Sequence, residues 1–115
     1  MNYQIENKGK YSVVTMLSDS LDAHTTPELK SELVILSGKA VKSMIIDLSK
    51  CHTCDTSGLS AIMIAHRLCK DGVLVLVGAC RSVESMLSIQ RFDPPLLLCA
   101  TIEEGEARML QELGL

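Results

Sequence analysis

The sequence predicts an α/β fold: a small mixed, largely parallel β-sheet with about four helices, in a single domain spanning residues 1–115. Three observations lead there. From residue 44 onward, short aliphatic runs alternate with longer runs of helical spacing, in the order strand, helix, strand, helix, strand, helix. That order favours right-handed crossovers and parallel pairing. Residues 73–77 are apolar without a break, the mark of a strand buried on both faces. Finally, the chain is 47% apolar but only 3% aromatic, so its core must be built from Leu, Ile, Val, Met and Ala. A length of 115 residues suffices for one such core.

The elements follow in order. Residues 3–6 and 11–17 read as two short strands joined by a hairpin turn, Asn7-Lys8-Gly9-Lys10, and they add an antiparallel pair to the sheet. Ser18-Asp19-Ser20 reads as a loop. The first helix begins near Pro27, a residue suited to the first helical position; either Thr26 caps it or Thr25 and Glu28 form a capping box. Leu29, Leu33 and Leu36 recur at helical spacing, and Gly38 is a natural stop. Residues 44–48 form the next strand, and 59–69 the second helix, closed by Asp71-Gly72. After the strand at 73–77, a third helix fits 82–89, with Val83, Met86 and Leu87 on one side. Pro94-Pro95 interrupts before a last strand at 96–99. Thr101 and Glu104 make a capping box for a final helix that turns Ile102, Ala107, Leu110 and Leu113 inward.

Composition narrows the function. A net charge of -3, no run of basic residues, no tryptophan and one phenylalanine, Phe92, argue against nucleic-acid binding. No run of roughly 18 apolar residues is available for membrane insertion, and the start, Met1-Asn2-Tyr3-Gln4, lacks a basic-then-apolar signal, so a cytoplasmic location is expected. Five irregularly spaced cysteines suit reduced thiols. No catalytic triad, phosphate-binding glycine loop or complete metal-ligand set is evident, and neither enzymatic activity nor a cofactor is expected.

The segment Asp55-Thr56-Ser57-Gly58 lies between the strand at 44–48 and the helix at 59–69. A helix exposes unpaired N–H groups at its start, and an anion is tolerated there. The segment therefore reads as a phosphorylation switch; the plainer reading is that Asp55, Thr56 or Ser57 caps the helix. Gly58 would permit close backbone approach. In the helix, Leu59, Ile62, Met63, His66 and Cys69 follow one stripe, while Ala61, Ile64, Ala65 and Leu68 fill others. Such an excess implies burial on several sides, or a docking surface that includes Ile64 or Leu68.

The chain resembles the STAS domain family, in particular its single-domain anti-sigma factor antagonists. Leu21-Asp22 with Thr25 is similar to the family's early Leu-Asp and threonine; Ile45-Ile46-Asp47-Leu48 to its central strand; Asp55-Thr56-Ser57-Gly58-Leu59 to its Asp-Ser-Ser-Gly-Leu signature; and Val75-Leu76-Val77-Gly78, then Val83 and Leu87, to its later strand and helix. The resemblance implies that the hydroxyl residue after the motif aspartate, here Thr56, is phosphorylated by an anti-sigma factor that is itself a serine kinase, and that a phosphatase reverses this. Ser57 is the alternative acceptor. Asp55 would orient the free hydroxyl, Ser57 and Gly58 would frame the loop, and Asp22 and Thr25 would rim the partner surface with Ile64. The unmodified form would bind the anti-sigma factor and free the sigma factor. A STAS subunit of a stressosome scaffold or of a transporter ATPase complex is one alternative; a small redox protein using Cys51 and Cys54 is another.

Overall fold

The computed structural model describes residues 2–38 and 42–115. The main sheet contains five strands: β1 (Tyr3–Asn7), β2 (Ser12–Met16), β4 (Met44–Asp47), β6 (Leu74–Val77) and β7 (Leu97–Cys99). A second sheet pairs two-residue strands, β3 (Ser20–Leu21) and β5 (Thr53–Cys54). The main sheet runs β1-β2-β4-β6-β7, with β1 antiparallel to β2 and every other pairing parallel. The helices are α1 (Pro27–Ser37), α2 (Thr56–Leu68), α3 (Arg81–Ile89) and α4 (Ile102–Leu113). The mixed, mostly parallel sheet with four helices is the predicted fold class.

Strand alternation explains why the sheet has a core on each side. Val14, Met16, Met44, Ile46, Leu74 and Leu76 face α1, α2 and α3, whose Leu29, Leu33, Ile62, Val83 and Leu87 complete that core. Val13, Ile45, Val75 and Val77 face the other way, onto Met109 of α4. All four residues of β6 are buried, as its unbroken apolar run predicts. Burying each such side chain contributes roughly 1.5–3 kcal/mol.

The β1–β2 turn is set by Gly9 at φ 90°, whose N–H donates to Asn7 Oδ1 at 2.8 Å. Helix α1 does begin at Pro27, but neither threonine caps it. Thr26 occupies the cap position with its hydroxyl donating to Asp22 O at 2.8 Å, and the Thr25 hydroxyl is held by the same upstream turn, so the Thr25–Glu28 box does not form. Gly38 follows the last helical residue in right-handed conformation, donating to Ile35 O at 3.2 Å. At α4 the Thr101 hydroxyl accepts from Glu104 N at 3.2 Å, whereas the Glu104 carboxylate reaches Ala100 N, one residue earlier than a strict box.

The inward face of α4 also differs from expectation. Ala107 and Leu110 are exposed, while Gly105 and Met109 are buried and Ile102 and Leu113 pack beside them. The physical reason is Gly105: a Cβ there would meet Val77 Cγ2 at 2.5 Å, so its missing side chain is what lets the helix lie against β6. The expected face included Ala107 and Leu110 and missed Met109, one position away from Leu110.

Candidate functional site

The short β3–β5 ladder brings two distant loops together. Ser20 pairs with Thr53 and Leu21 with Cys54. His52 N donates to Asp19 O at 2.7 Å and Asp55 N to Leu21 O at 3.2 Å. The loop carrying Asp22 and Thr25 therefore lies beside the start of α2. The sequence reading assigned 18–20 to a loop and left 53–54 without structure, because two-residue strands carry no periodicity.

Helix α2 starts at Thr56, three residues before the expected Leu59, so Thr56, Ser57 and Gly58 form its first turn instead of a loop. Asp55 is the N-cap in extended conformation. One oxygen, Oδ1, accepts from Ser57 N at 2.8 Å and Gly58 N at 3.1 Å. Asp55 thus caps α2, as the plainer reading of the motif has it, with its carboxylate holding the helix backbone. Thr56 itself is exposed and Ser57 half-buried.

Gly58 is buried, and a Cβ there would run into Leu21 O and lie 2.6 Å from Cys54 Sγ. The helix start thus rests directly on the β3 backbone. Beyond it the buried positions of α2 are Ala61, Ile62 and Ala65, followed by Cys69. Of the stripe Leu59, Ile62, Met63, His66 and Cys69, Ile62 and Cys69 are buried and Met63 is 37% exposed; Ala61 and Ala65 are buried beside it, so α2 is buried on more than one stripe, as the apolar excess implies. Ile64 is half-buried at the margin of that face.

The Asp22 loop is held from within. Asp22 Oδ1 accepts from His24 N at 2.8 Å and Thr25 N at 3.2 Å, and Oδ2 from Ser20 Oγ at 2.9 Å. The His24 N–H foremost, with the Ser20 hydroxyl, holds this carboxyl below its ordinary range. Thr25 is 8% exposed. Its hydroxyl accepts from Asp22 N at 2.9 Å, with its own proton between Ser20 O and Asp22 O. Thr25 consequently shapes the loop, whereas Asp22, half-buried, reaches its surface. Ser20 adds a side-chain donor to the two backbone N–H groups that hold the carboxylate.

The thiols next to the site argue against redox exchange. Cys51 is 1% exposed and its Sγ donates to Ser18 O at 3.5 Å. Burial pushes it up to about 11, with Cys80 adding to the effect. Burial, then the Asp55 carboxylate, pushes Cys54 up to about 11 as well. A dithiol of the reactive kind needs an accessible thiolate near neutral pH; the burial of Cys51 and the raised state of both thiols disfavour it. Among the described residues no three His, Cys, Asp or Glu side chains are placed to hold a metal ion. No described helix is long and apolar enough to cross a membrane.

A family model described as STAS domain matches residues 3–105. A variant of RsbS from Moorella thermoacetica has a similar structure, with TM-score 0.82 and 20% identity, covering 100% of each chain. An anti-sigma factor antagonist from Mycobacterium paratuberculosis gives TM-score 0.78 at 19% identity, covering 93% of this chain and 92% of that one. The Bacillus cell fate determinant SpoIIAA in its phosphorylated form gives 0.75 at 19%, covering 92% and 97%. At these identities the structural likeness is one of fold. A search of curated protein sequences found no match.

Proposed function

The chain belongs to the STAS domain family, and from that premise we propose that it is an anti-sigma factor antagonist, a single domain over residues 1–115 whose grip on a partner is set by phosphorylation of Thr56. The partner is an anti-sigma factor with serine kinase activity, and a phosphatase restores the unmodified form. The chain needs no catalysis of its own for this, and it works in the cytoplasm. Ser57, half-buried, is the less accessible acceptor.

The observation that carries this reading is the placement of Thr56: exposed, in the first turn of α2, directly after a carboxylate that already holds two of the helix's N–H groups. Phosphorylation adds about 1.5 to 2 negative charges. With Ser57 N and Gly58 N engaged by Asp55, the phosphate gains little from those donors and projects into solvent, where a partner meets it. Bringing such a dianion into an interface shaped for a hydroxyl, at a penalty of about 3 kcal/mol, weakens binding about a hundredfold. The backbone frame around Asp55, Gly58 and Leu21 is unaltered, so the modification changes the partner and not the fold.

Mass spectrometry of the Thr56 peptide from the native cell tests the acceptor. Pull-downs with the wild type, Thr56→Ala and Thr56→Asp test the switch: Thr56→Asp alone should lose an anti-sigma factor kinase. Recovery of the same partner by all three proteins would end the proposal, and a transporter ATPase among the shared partners would favour the transporter alternative.

A further inference from the structure

We propose that an open groove at the C-terminal end of α2, lined by Arg67, Lys70 and Arg91, receives an acidic segment of the partner protein that reads Thr56; this deepens the switch reading and rests on it. The groove measures about 310 Å³ and is also bounded by Met63, Phe92 and Asp93. All three cations are exposed. Among the described residues none of them takes part in an ion pair. Lys10, Lys30, Lys50 and Arg81 make no ion pair either; what sets Arg67, Lys70 and Arg91 apart is that they line one groove.

Helix electrostatics account for part of the cluster. Arg67 lies in the last turn of α2 and Lys70 just after it, where positive charge complements the carbonyl end of the dipole. Arg91 has no such reason to be there. It comes from the segment after α3, and it adds a third like charge against only Asp93. An anion bridging the two segments relieves that repulsion.

The placement connects the groove to the switch. Residues 56, 60, 63 and 67 fall on one stripe of a helix. Thr56, Met63 and Arg67 are exposed there and Ser60 is half-buried. The distance from Thr56 to Arg67 is about 16 Å along the axis. A partner surface lying on this stripe covers the acceptor at one end and meets the cations at the other, with Met63 between them. The open groove and the spread of the charges fit carboxylates distributed along a chain.

The test is titration of the full chain with a hexaglutamate peptide, followed by amide chemical shifts. Saturable shifts at Arg67, Lys70, Arg91 and Phe92, weakening as salt rises from about 20 to about 200 mM, support the proposal. So does a loss of about tenfold or more in peptide affinity in Arg67→Glu/Arg91→Glu, with a smaller loss in the charge-neutral Arg91→Gln should the double variant fold poorly. Shifts confined to other surfaces, or undiminished binding in both variants, overturn it. Inorganic pyrophosphate displacing the peptide at lower concentration overturns it in favour of a small-anion site. At about 200 mM salt, where the Debye length is about 7 Å, Thr56→Asp should change peptide affinity less than about twofold; a tenfold loss there would place the acidic segment at the helix start and overturn the assignment. The peptide measurement makes no use of a kinase, so its failure leaves the Thr56 switch standing, and failure of the switch is read separately by the pull-downs.

Discussion

Helices α2 and α4 start alike and end up as opposites. Each opens on a side-chain cap, Asp55 or Thr101, and each sets a glycine against its neighbour, Gly58 on β3 or Gly105 on β6. Their outer faces differ. On α4 several charged groups are engaged within the chain: Arg108 pairs with Glu112 at 3.1 Å, and Glu106 accepts from the Tyr11 hydroxyl and lies 4.0 Å from Lys8. On α2 the outer stripe of Thr56, Met63 and Arg67 carries no ion pair among the described residues. Polar groups satisfied at home stabilise; exposed ones left unengaged along a single stripe are what a partner can read.

The largest expected effect separates the two glycines. Gly58→Ala pushes a Cβ into the Leu21 carbonyl, a backbone atom that cannot swing aside, and should cost about 3 kcal/mol in urea unfolding. Gly105→Ala meets a methyl of the buried, β-branched Val77, and alanine's better helix propensity offsets about 1 kcal/mol, so its cost should be smaller, about 1–2 kcal/mol. Equal costs would break the contrast between a backbone seat and a side-chain seat.

The caps should be equivalent in stability. Asp55→Ala and Thr101→Ala are each expected to cost about 1 kcal/mol by thermal or urea unfolding. Only Asp55→Ala should also disturb partner binding.

Next is the alkaline limb. Burial, with the Glu106 carboxylate, pushes the Tyr11 phenol up to about 12. The folded state therefore keeps the neutral phenol after the unfolded chain has ionised. That contribution is complete below pH 10 and disappears as pH climbs toward 12. Tyr11→Phe should lower neutral-pH stability by about 1 kcal/mol and flatten that decline in pH-dependent unfolding. Tyr3, raised also by burial, should leave a residue of it.

Smaller still, Arg108→Ala breaks an exposed pair and should change stability by a few tenths of a kcal/mol. Thr56→Asp should change it by less than about 0.5 kcal/mol, because an acid in the first turn is favoured by the dipole. A Thr56→Asp protein that unfolded would sharpen the comparison the other way, making the α2 start a folding element.

Much of the fold was legible because long runs announce themselves: the apolar 73–77, Pro27 at a helix start, Leu29 and Leu33 one turn apart. The misreadings share a cause. Glycines make the tightest contacts, so Gly58 and Gly105 seat their helices at positions that an apolar pattern does not mark. The start of α2 was set late because Thr-Ser-Gly has turn-like composition, and only the Asp55 hydrogen bonds pull it into the helix. At the candidate site, the motif marks the Asp55–Gly58 segment that opens α2. The ladder that brings Asp22 alongside was not legible, nor was the cluster of Arg67 with Arg91, which are distant in sequence and meet only through packing.

The contact between Gly58 and the Leu21 carbonyl has a consequence for descent. If this gene is duplicated, the seat of α2 cannot drift in either copy without collapse, while positions 60, 63 and 67 are free to change. New allegiances would then arise by repainting one exposed edge of an inherited mount, and sister proteins that ignore each other's targets should still superimpose at that turn.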